Sequence, residues 1–406
     1  MTTRTVLVTG RGGSGATTVA AATAVHSARH GLRTLLLAAH DPHRTMDALL
    51  GVRLGEAPAP VGDGDAGPHA ARIDEERSFQ EGALHLAGRV KPAFDLLGVD
   101  PLDPEELTAL PGTRHLVLLR ALCEHTASGH WDLLVVDGPP VPELVAALAL
   151  PERLDRYLAR LLPEQRQAAR ALRPVLAALA GVPMPADWLF EARSWAAGRL
   201  AEARRVVEAP QTSVRLVVDA DGHTLPEVRR ARAGLALFEH RVDAVVASRA
   251  LPVTAADSPD PWLAALAAEG RTRTAALASE FAGEAPLLPA PHLGRAPDGP
   301  ADLAELGAAL YGSAADLDPP HPEPWAVDDR LAEDGLLVWR LPLPGAERAD
   351  LDLVRRGDEL IIGIGAYRRI ARLPSALRRC TVSGAGLRDG LLSVRFTPDP
   401  ALWPQR

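Results

Sequence analysis

The stretch TVLVTGRGGSGATTVAAATAV, Thr5–Val25, decides the fold class. Thr5–Thr9 is an apolar run of the kind buried inside a parallel sheet, a glycine-rich turn follows, and Thr17–His30 has a helical pattern. A phosphate-binding loop has the spacing G-x-x-x-x-G-K-[ST] between a strand and a helix. Gly10, Gly15 and Thr17 satisfy that spacing, and both flanks are right. Consecutive backbone N–H groups through Gly12, Gly13, Ser14, Gly15, Ala16, Thr17 and Thr18, helped by the helix N-terminus, form an anion cradle. The Thr17 hydroxyl is placed to hold Mg2+. Only the lysine is missing, since Ala16 occupies its position. A glycine turn used solely for strand–helix packing is the alternative. The joint presence of strand, helix, Thr17 and a downstream strand-end aspartate, Asp137, favours descent from a nucleotide-binding loop.

The loss has a size. A lysine donates charge-assisted hydrogen bonds to the terminal phosphates, worth about 1.5–3 kcal/mol, so its absence weakens binding about ten- to hundredfold without abolishing it. Transition-state charge is hit harder, because a cation at a transferring phosphoryl group accelerates the step by about a thousandfold or more. Nucleotide binding is therefore expected to survive where hydrolysis does not. The chain contains one lysine, Lys91, and arginine supplies the rest of its positive charge. In such a composition a lysine that is still needed drifts to arginine. Arg11, one residue past the first glycine of the loop, fits that pattern and Ala16 does not. An ordinary surface arginine is the alternative for Arg11.

The 406 residues, 47% hydrophobic, suffice for two or three domains. A net charge of −8 gives no overall basic field for nucleic acid or anionic lipid. Cys123 and Cys380 lie far apart and form neither a CxxC pair nor a disulfide framework, which fits a reducing cytoplasm. No signal peptide is read at the N-terminus. No apolar run reaches the roughly 18 residues of a membrane span, so no direct span is expected.

Residues 1–150 alternate strands and helices. Arg33–Ala39 is a second strand and Leu133–Val136 a third, ending in Asp137, which argues for a parallel α/β sheet. Residues 56–70 read as a mobile surface loop, and 143–209 as an inserted helical block. Strands return at Ser213–Val218 and Val242–Ala247, and the α/β domain, 1–312, ends near Gly312. Residues 313–334 read as a proline-rich, acidic linker. Beyond it, alternating LLVWRLPL and hairpin signals at Gly357-Asp358 and Asp389-Gly390 mark 335–398 as a small all-β sandwich. Arg368, Arg369 and Arg372 are expected on its solvated face. His40 and His43 read as loop histidines beside an anion site, with no third metal ligand spaced to help.

Over residues 4–312 the chain resembles the ArsA-type P-loop ATPases, a family of anion pumps and of ATPases that deliver tail-anchored membrane proteins. The family loop GKGGxGKTT matches Gly10–Thr18 except at Arg11 and Ala16. HDPHRTMDALLG is similar to the first switch, DPAHS, and DGPPVPELV to the second, DTAPTGHT. ELTALPG (106–112), ALPERLDRYL (149–158), TSVRLVV (212–218), VDAVVASRALP (242–252) and PLLPAPHLG (286–294) extend the match. The C-terminal segment is similar to a small-heat-shock-protein-like (α-crystallin-like) domain through LPLPG, RRGDELIIGIG, RRIARLP and GAGLRDGLLSVRF.

The resemblance implies roles. Asp41 would position the attacking water, and Asp137 would hold Mg2+ with Thr17, directly or through water. Ser248 would replace the asparagine that contacts the base, and Pro289 would lie along the base. Arg11 would reach the phosphates of a partner subunit. The implied cofactor is ATP or ADP with Mg2+, bound weakly or conditionally. The implied assembly is a homodimer, or a heterodimer with an intact ArsA-type relative, serving a membrane-protein client. The metalloid-binding cysteines of arsenite pumps and the zinc CxxC of some targeting members are absent, so no arsenite site is expected. Altered switches beside a loop without its lysine point to relaxed catalysis, a pseudoenzyme-like subunit. A slow ATPase coupled to anion extrusion or membrane-protein targeting, and a nucleotide-independent scaffold, are the alternatives.

Overall fold

The computed structural model describes residues 3–62, 66–84, 103, 106–110, 112–161, 187–219, 225–317 and 324–403. Lys91, part of the helical block (162–186) and residues 318–323 of the proline-rich stretch lie outside the described residues.

The first domain runs β1 (Arg4–Gly10), α1 (Ala16–Arg29), β2 (Thr34–Ala38), α2 (Thr45–Leu50), β3 (Ala59–Pro60), β4 (His69–Arg72), α3 (Thr113–Ala127) and β5 (Leu133–Asp137). It continues through α4 (Val141–Leu161), α5 (Asp187–Val207), β6 (Thr212–Asp219), α6 (Leu225–Leu237), β7 (Val242–Ala250), α7 (Pro261–Glu280), β8 (Leu287–Pro291) and α8 (Gly299–Tyr311). The sheet order is β3-β4-β2-β5-β1-β6-β7-β8, parallel except for the β3–β4 pair. β2 and β5 are buried along their whole length, as strands covered on both faces must be. Their side chains alternate. Val6, Val8, Leu36 and Val135 pack under α1, α2 and α8, while Leu7, Leu35, Leu134 and Val136 join the core shared with α3, α4 and α6. β1 sits between β5 and β6, so the chain turns out of it where the strand order diverges, the place where such sheets bind ligands.

The loop reading of 56–70 changes at its ends, where β3 and the start of β4 lie. Charge also enters the core. Arg215 on β6 is fully buried; its Nη2 donates to Asp243 at 2.8 Å and its Nη1 to the Tyr311 hydroxyl at 3.0 Å. Arg4 joins Asp243 at 2.8 Å. Both arginines reach Asp316, at 3.2 Å each. His26 and Ser27 also bond the Ala314 and Ala315 carbonyls, at 2.9 and 2.7 Å. The stretch expected to be linker is therefore fixed to the first domain over residues 314–316.

It is structured at its far end too, as β9 (Ala326–Arg330). Then come β10 (Leu336–Pro342), β11 (Leu351–Arg356), β12 (Glu359–Ile364), β13 (Tyr367–Arg372), β14 (Cys380–Arg388) and β15 (Leu391–Pro398). They form two antiparallel sheets, β14-β15-β10-β9 and β11-β12-β13, around Leu337, Trp339, Leu341, Leu360, Ile362, Leu392, Val394 and Phe396. Asp389 and Gly390, at φ +49° and +71°, both take the left-handed conformation that a two-residue hairpin turn requires.

The sandwich docks on α4 and α6 through β12 and β13. Arg369 corrects the expectation of a solvated arginine face: its side chain is only 13% exposed. Its Nη1 donates to the Leu237 carbonyl at 2.9 Å and to Glu239 at 2.7 Å, and its Nε lies 3.2 Å from Glu152. Arg156 pairs with Glu359 at 3.4 Å, and Arg153 donates to the Arg368 carbonyl at 3.2 Å. Gly234 on α6 lies under the Tyr367 ring, where a Cβ would stand 2.5 Å from a ring carbon. Only glycine allows that approach.

Candidate functional site

β1 delivers the chain to the glycine loop, and the loop's shape follows from its glycines. A Cβ on Gly10 would strike the Val217 carbonyl and the Ser14 hydroxyl. Gly13 and Gly15 sit at φ +82° and +88°, and Gly15 is the residue that caps the start of α1. A Cβ on Gly12 or Gly13 would meet nothing within 4 Å, so this side of the loop is open to a ligand. Ser14 is 1% exposed and its Oγ has no hydrogen-bond partner. Ala16 and Thr17 stand at the first positions of α1.

Behind the loop lies Asp137, at the end of β5 and 1% exposed. The Thr17 hydroxyl stands beside it, while its Oδ2 has no partner. Burial pushes the Asp137 carboxyl up to about 8, the neighbouring Thr17 hydroxyl opposes that shift, and the Asp41 charge adds to it. An orphaned carboxylate oxygen beside a hydroxyl at the mouth of an anion cradle suits Mg2+, a hard cation that takes few protein ligands and keeps water and phosphate oxygens. Thr9 and Gly138 fix the backbone around it: the Thr9 hydroxyl donates to the Pro139 carbonyl at 2.6 Å and the Gly138 N–H to the Val8 carbonyl at 2.9 Å.

Asp41 is on the same side of the sheet, and its side chain is 2% exposed. Its oxygens accept from the Thr45 and Met46 N–H groups at 2.7 and 2.9 Å, which caps α2. Arg72 Nη2 lies 3.3 Å from Asp41 and 2.6 Å from Asp47. In this state Asp41 is a cap and an ion-pair partner; both of its oxygens are engaged.

Ser248 is 4% exposed near the end of β7, and its Cβ lies 3.7 Å from where a Gly15 Cβ would be. Pro289 is paired with Ala247 one strand further out. Arg11 is 54% exposed and its Nη1 lies 3.9 Å from Glu227. His40 and His43 lie in the loop between β2 and α2, and among the described residues no group of three or more His, Cys, Asp or Glu side chains could hold a metal ion. The structure thus brings Gly10–Thr18, Asp137, Asp41 and Ser248 together, with Pro289 one strand further out.

The family model described as anion-transporting ATPase matches residues 3–312. The chain belongs to the ArsA family. A second model, an HSP20-like domain found in ArsA, matches residues 334–396. An uncharacterized protein of Streptomyces coelicolor is 51% identical over 403 residues, covering 99% of this chain and 99% of its own. A protein of Mycobacterium tuberculosis is 31% identical over 431 residues, covering 99% and 97%. A putative arsenical pump-driving ATPase 1 of Aquifex aeolicus is 25% identical over 395 residues, covering 92% and 95%.

Two side chains of this ArsA-family site escape the sequence. Arg72, at the end of β4, carries no motif in the sequence, yet it ties Asp41 to Asp47. Arg249 follows Ser248 and reaches the glycine loop itself, where its Nη2 donates to the Gly13 carbonyl. The two cysteines are buried, and burial pushes the Cys123 thiol up to about 11, far from the thiolate that binds soft metals. No helix among the described residues is long and apolar enough to cross a membrane.

Proposed function

We propose that this ArsA-family protein is a nucleotide-binding, poorly hydrolysing subunit. It takes ADP or ATP with Mg2+ in the cradle of Gly12, Gly13, Gly15, Thr17 and Thr18. Thr17 and Asp137 hold the cation, while Ser248 and Pro289 line the base side. The observation that carries this reading is the loop's preserved shape: the left-handed glycines and the orphaned Asp137 oxygen persist although Ala16 brings no charge. Backbone N–H groups bind phosphate whatever side chain stands at position 16. The side chain at 16 matters most where charge develops in the transition state. The subunit works as a dimer, with itself or with a relative whose loop keeps its lysine, and offers Arg11 to the partner's phosphates. Mg2+ supplies charge neutralisation at the phosphates when bound; Asp137 must give up its proton to meet it.

A slow ATPase that energises export or membrane-protein delivery is the second reading, favoured by the printed name of the Aquifex relative.

Calorimetric titration with ADP and a non-hydrolysable ATP analogue tests the proposal. The expected result is micromolar binding that Mg2+ tightens in the wild type and not in Asp137→Asn, with turnover near background. Ala16→Lys is expected to tighten binding about ten- to hundredfold. No heat at millimolar nucleotide refutes the proposal, and brisk turnover by the wild type refutes its non-catalytic half.

A further inference from the structure

We infer that Arg249 is the cation of this lysine-less loop: it pins the loop's apex from β7 and presents its remaining donors to the phosphate chain. This inference rests on the nucleotide-binding reading above.

Four observations support it. Arg249 sits at φ +57°, a left-handed conformation that costs a non-glycine residue of order 1 kcal/mol and persists only where surroundings impose it. That turn carries the side chain back over the end of the sheet, across β6, toward the loop. There Nη1 bonds Asp219 Oδ2 at 2.8 Å, at the end of β6, while Nη2 donates to the Gly13 carbonyl. Asp219 is paired with Ser248 in register, so the guanidinium is braced from two adjacent strands. Second, the loop rests on this strand end, as the approach of Ser248 to Gly15 shows. Third, Arg249 is half exposed, and a guanidinium has five N–H donors in a planar fork matched to phosphate oxygens. Bonds to Gly13 and Asp219 leave donors available. Fourth, the other charge in the loop, Arg11, lies beside Glu227 on α6.

The lysine of a standard loop extends from the helix start, and Arg249 comes from two strands away. If the two cations serve the same phosphates, they are redundant, and redundancy is measurable. The experiment is ADP–Mg2+ titration of the full chain as wild type, Arg249→Lys, Arg249→Gly, Ala16→Lys and Ala16→Lys/Arg249→Gly, with thermal melts of each. Arg249→Gly removes the cation while relieving the positive φ, so its melting temperature is expected at or above the wild-type value. Its ADP affinity is expected to fall at least tenfold, and Arg249→Lys to retain most of it. The affinity gained by Ala16→Lys is expected to be larger in the Arg249→Gly background than in the wild type, the signature of a shared ligand. Unchanged or tighter ADP binding by Arg249→Gly overturns the inference and makes Arg249 a brace alone; equal gains in both backgrounds overturn it as well. Absence of binding by the wild type refutes the nucleotide reading and this inference together.

Discussion

Arg369→Ala tests how the sandwich is attached. Truncation takes from the Leu237 carbonyl, at the end of α6, the Arg369 donor 2.9 Å away. A backbone acceptor deprived of a partner in a closed interface costs about 1–3 kcal/mol. The guanidinium also lies 4.6 Å from the centre of the Trp325 ring, a contact worth about 1 kcal/mol when partly desolvated. Its carboxylate partners are more open, Glu152 at 28% and Glu239 at 46% exposure, so each pair adds only about 0.5 kcal/mol. The expected loss is about 3–5 kcal/mol, taken from the docking of the two domains and not from either core. Trp325 packs edge-on to Trp339 at 5.6 Å, so the share of tryptophan fluorescence that comes from this pair reports this face. In urea, the variant should show an early fluorescence transition, ahead of the loss of helical signal. Arg369→Lys should recover less than half, because a single ammonium cannot reach the carbonyl and the carboxylates in the fork geometry. Coincident transitions within 0.5 kcal/mol of wild type would refute this account of the interface.

Acid should weaken the same region. Burial holds the His240 imidazole down at about 3, and Arg369 and Arg241 add like charge. The unfolded chain takes up that proton near 6.5 and the folded chain does not, so stability is full above 6.5 and declines as pH falls toward 3. At pH 5 the loss is about 2 kcal/mol relative to His240→Gln, read as the difference in urea midpoints at pH 7.5 and 5; parallel profiles would contradict it. Arg215→Ala takes from the buried Asp243 one of its two arginine partners, leaving Arg4, and should cost about 3 kcal/mol in equilibrium denaturation, the low end for breaking a buried pair. The same change should expose residues 313–317 to protease, since Arg215 holds Asp316; an unchanged cleavage pattern would show that Arg4 suffices.

The glycine loop, its strand and its helix were legible because the signal is local: each residue's role depends on neighbours within twenty positions. The hairpins were legible for the same reason, since Asp389-Gly390 declares its own backbone angles. Arginine was not. Arg215, Arg249 and Arg369 each sit in a stretch that reads differently: one inside an apolar strand, one past a strand end, one in a basic hairpin. What they do is set by Asp243, the Gly13 carbonyl and the Leu237 carbonyl, partners from 28 to 236 positions away. In a chain that uses arginine almost everywhere, composition hides which of them are buried. β9 escaped for a related reason: Ala326–Arg330 is a half-exposed edge strand, and proline and acid around it read as linker. In sequence, Asp41 is assigned to positioning water by resemblance alone. The structure shows it as a cap, because the turn between β2 and α2 puts the Thr45 and Met46 N–H groups within its reach.

α4 starts four residues after Asp137 and carries Glu152 and Arg156 to the sandwich. At 1.5 Å per residue it is a rod of about 30 Å with the ligand end of the sheet at one tip and the second domain near the other. Pro151 lies inside it: with no N–H to offer, it leaves the Ala147 carbonyl without the usual helical donor, which makes this the softest place for the rod to bend. A lever with a soft place has two responses. Tilting the Asp137 tip either bends the rod at Pro151 or drags the sandwich along. Whichever occurs, the exchange is symmetric, since coupling free energy belongs to both ends at once. If nucleotide bound as proposed tilts that tip, a partner that grips the sandwich and resists the tilt alters nucleotide affinity by the same factor by which nucleotide alters the partner's grip.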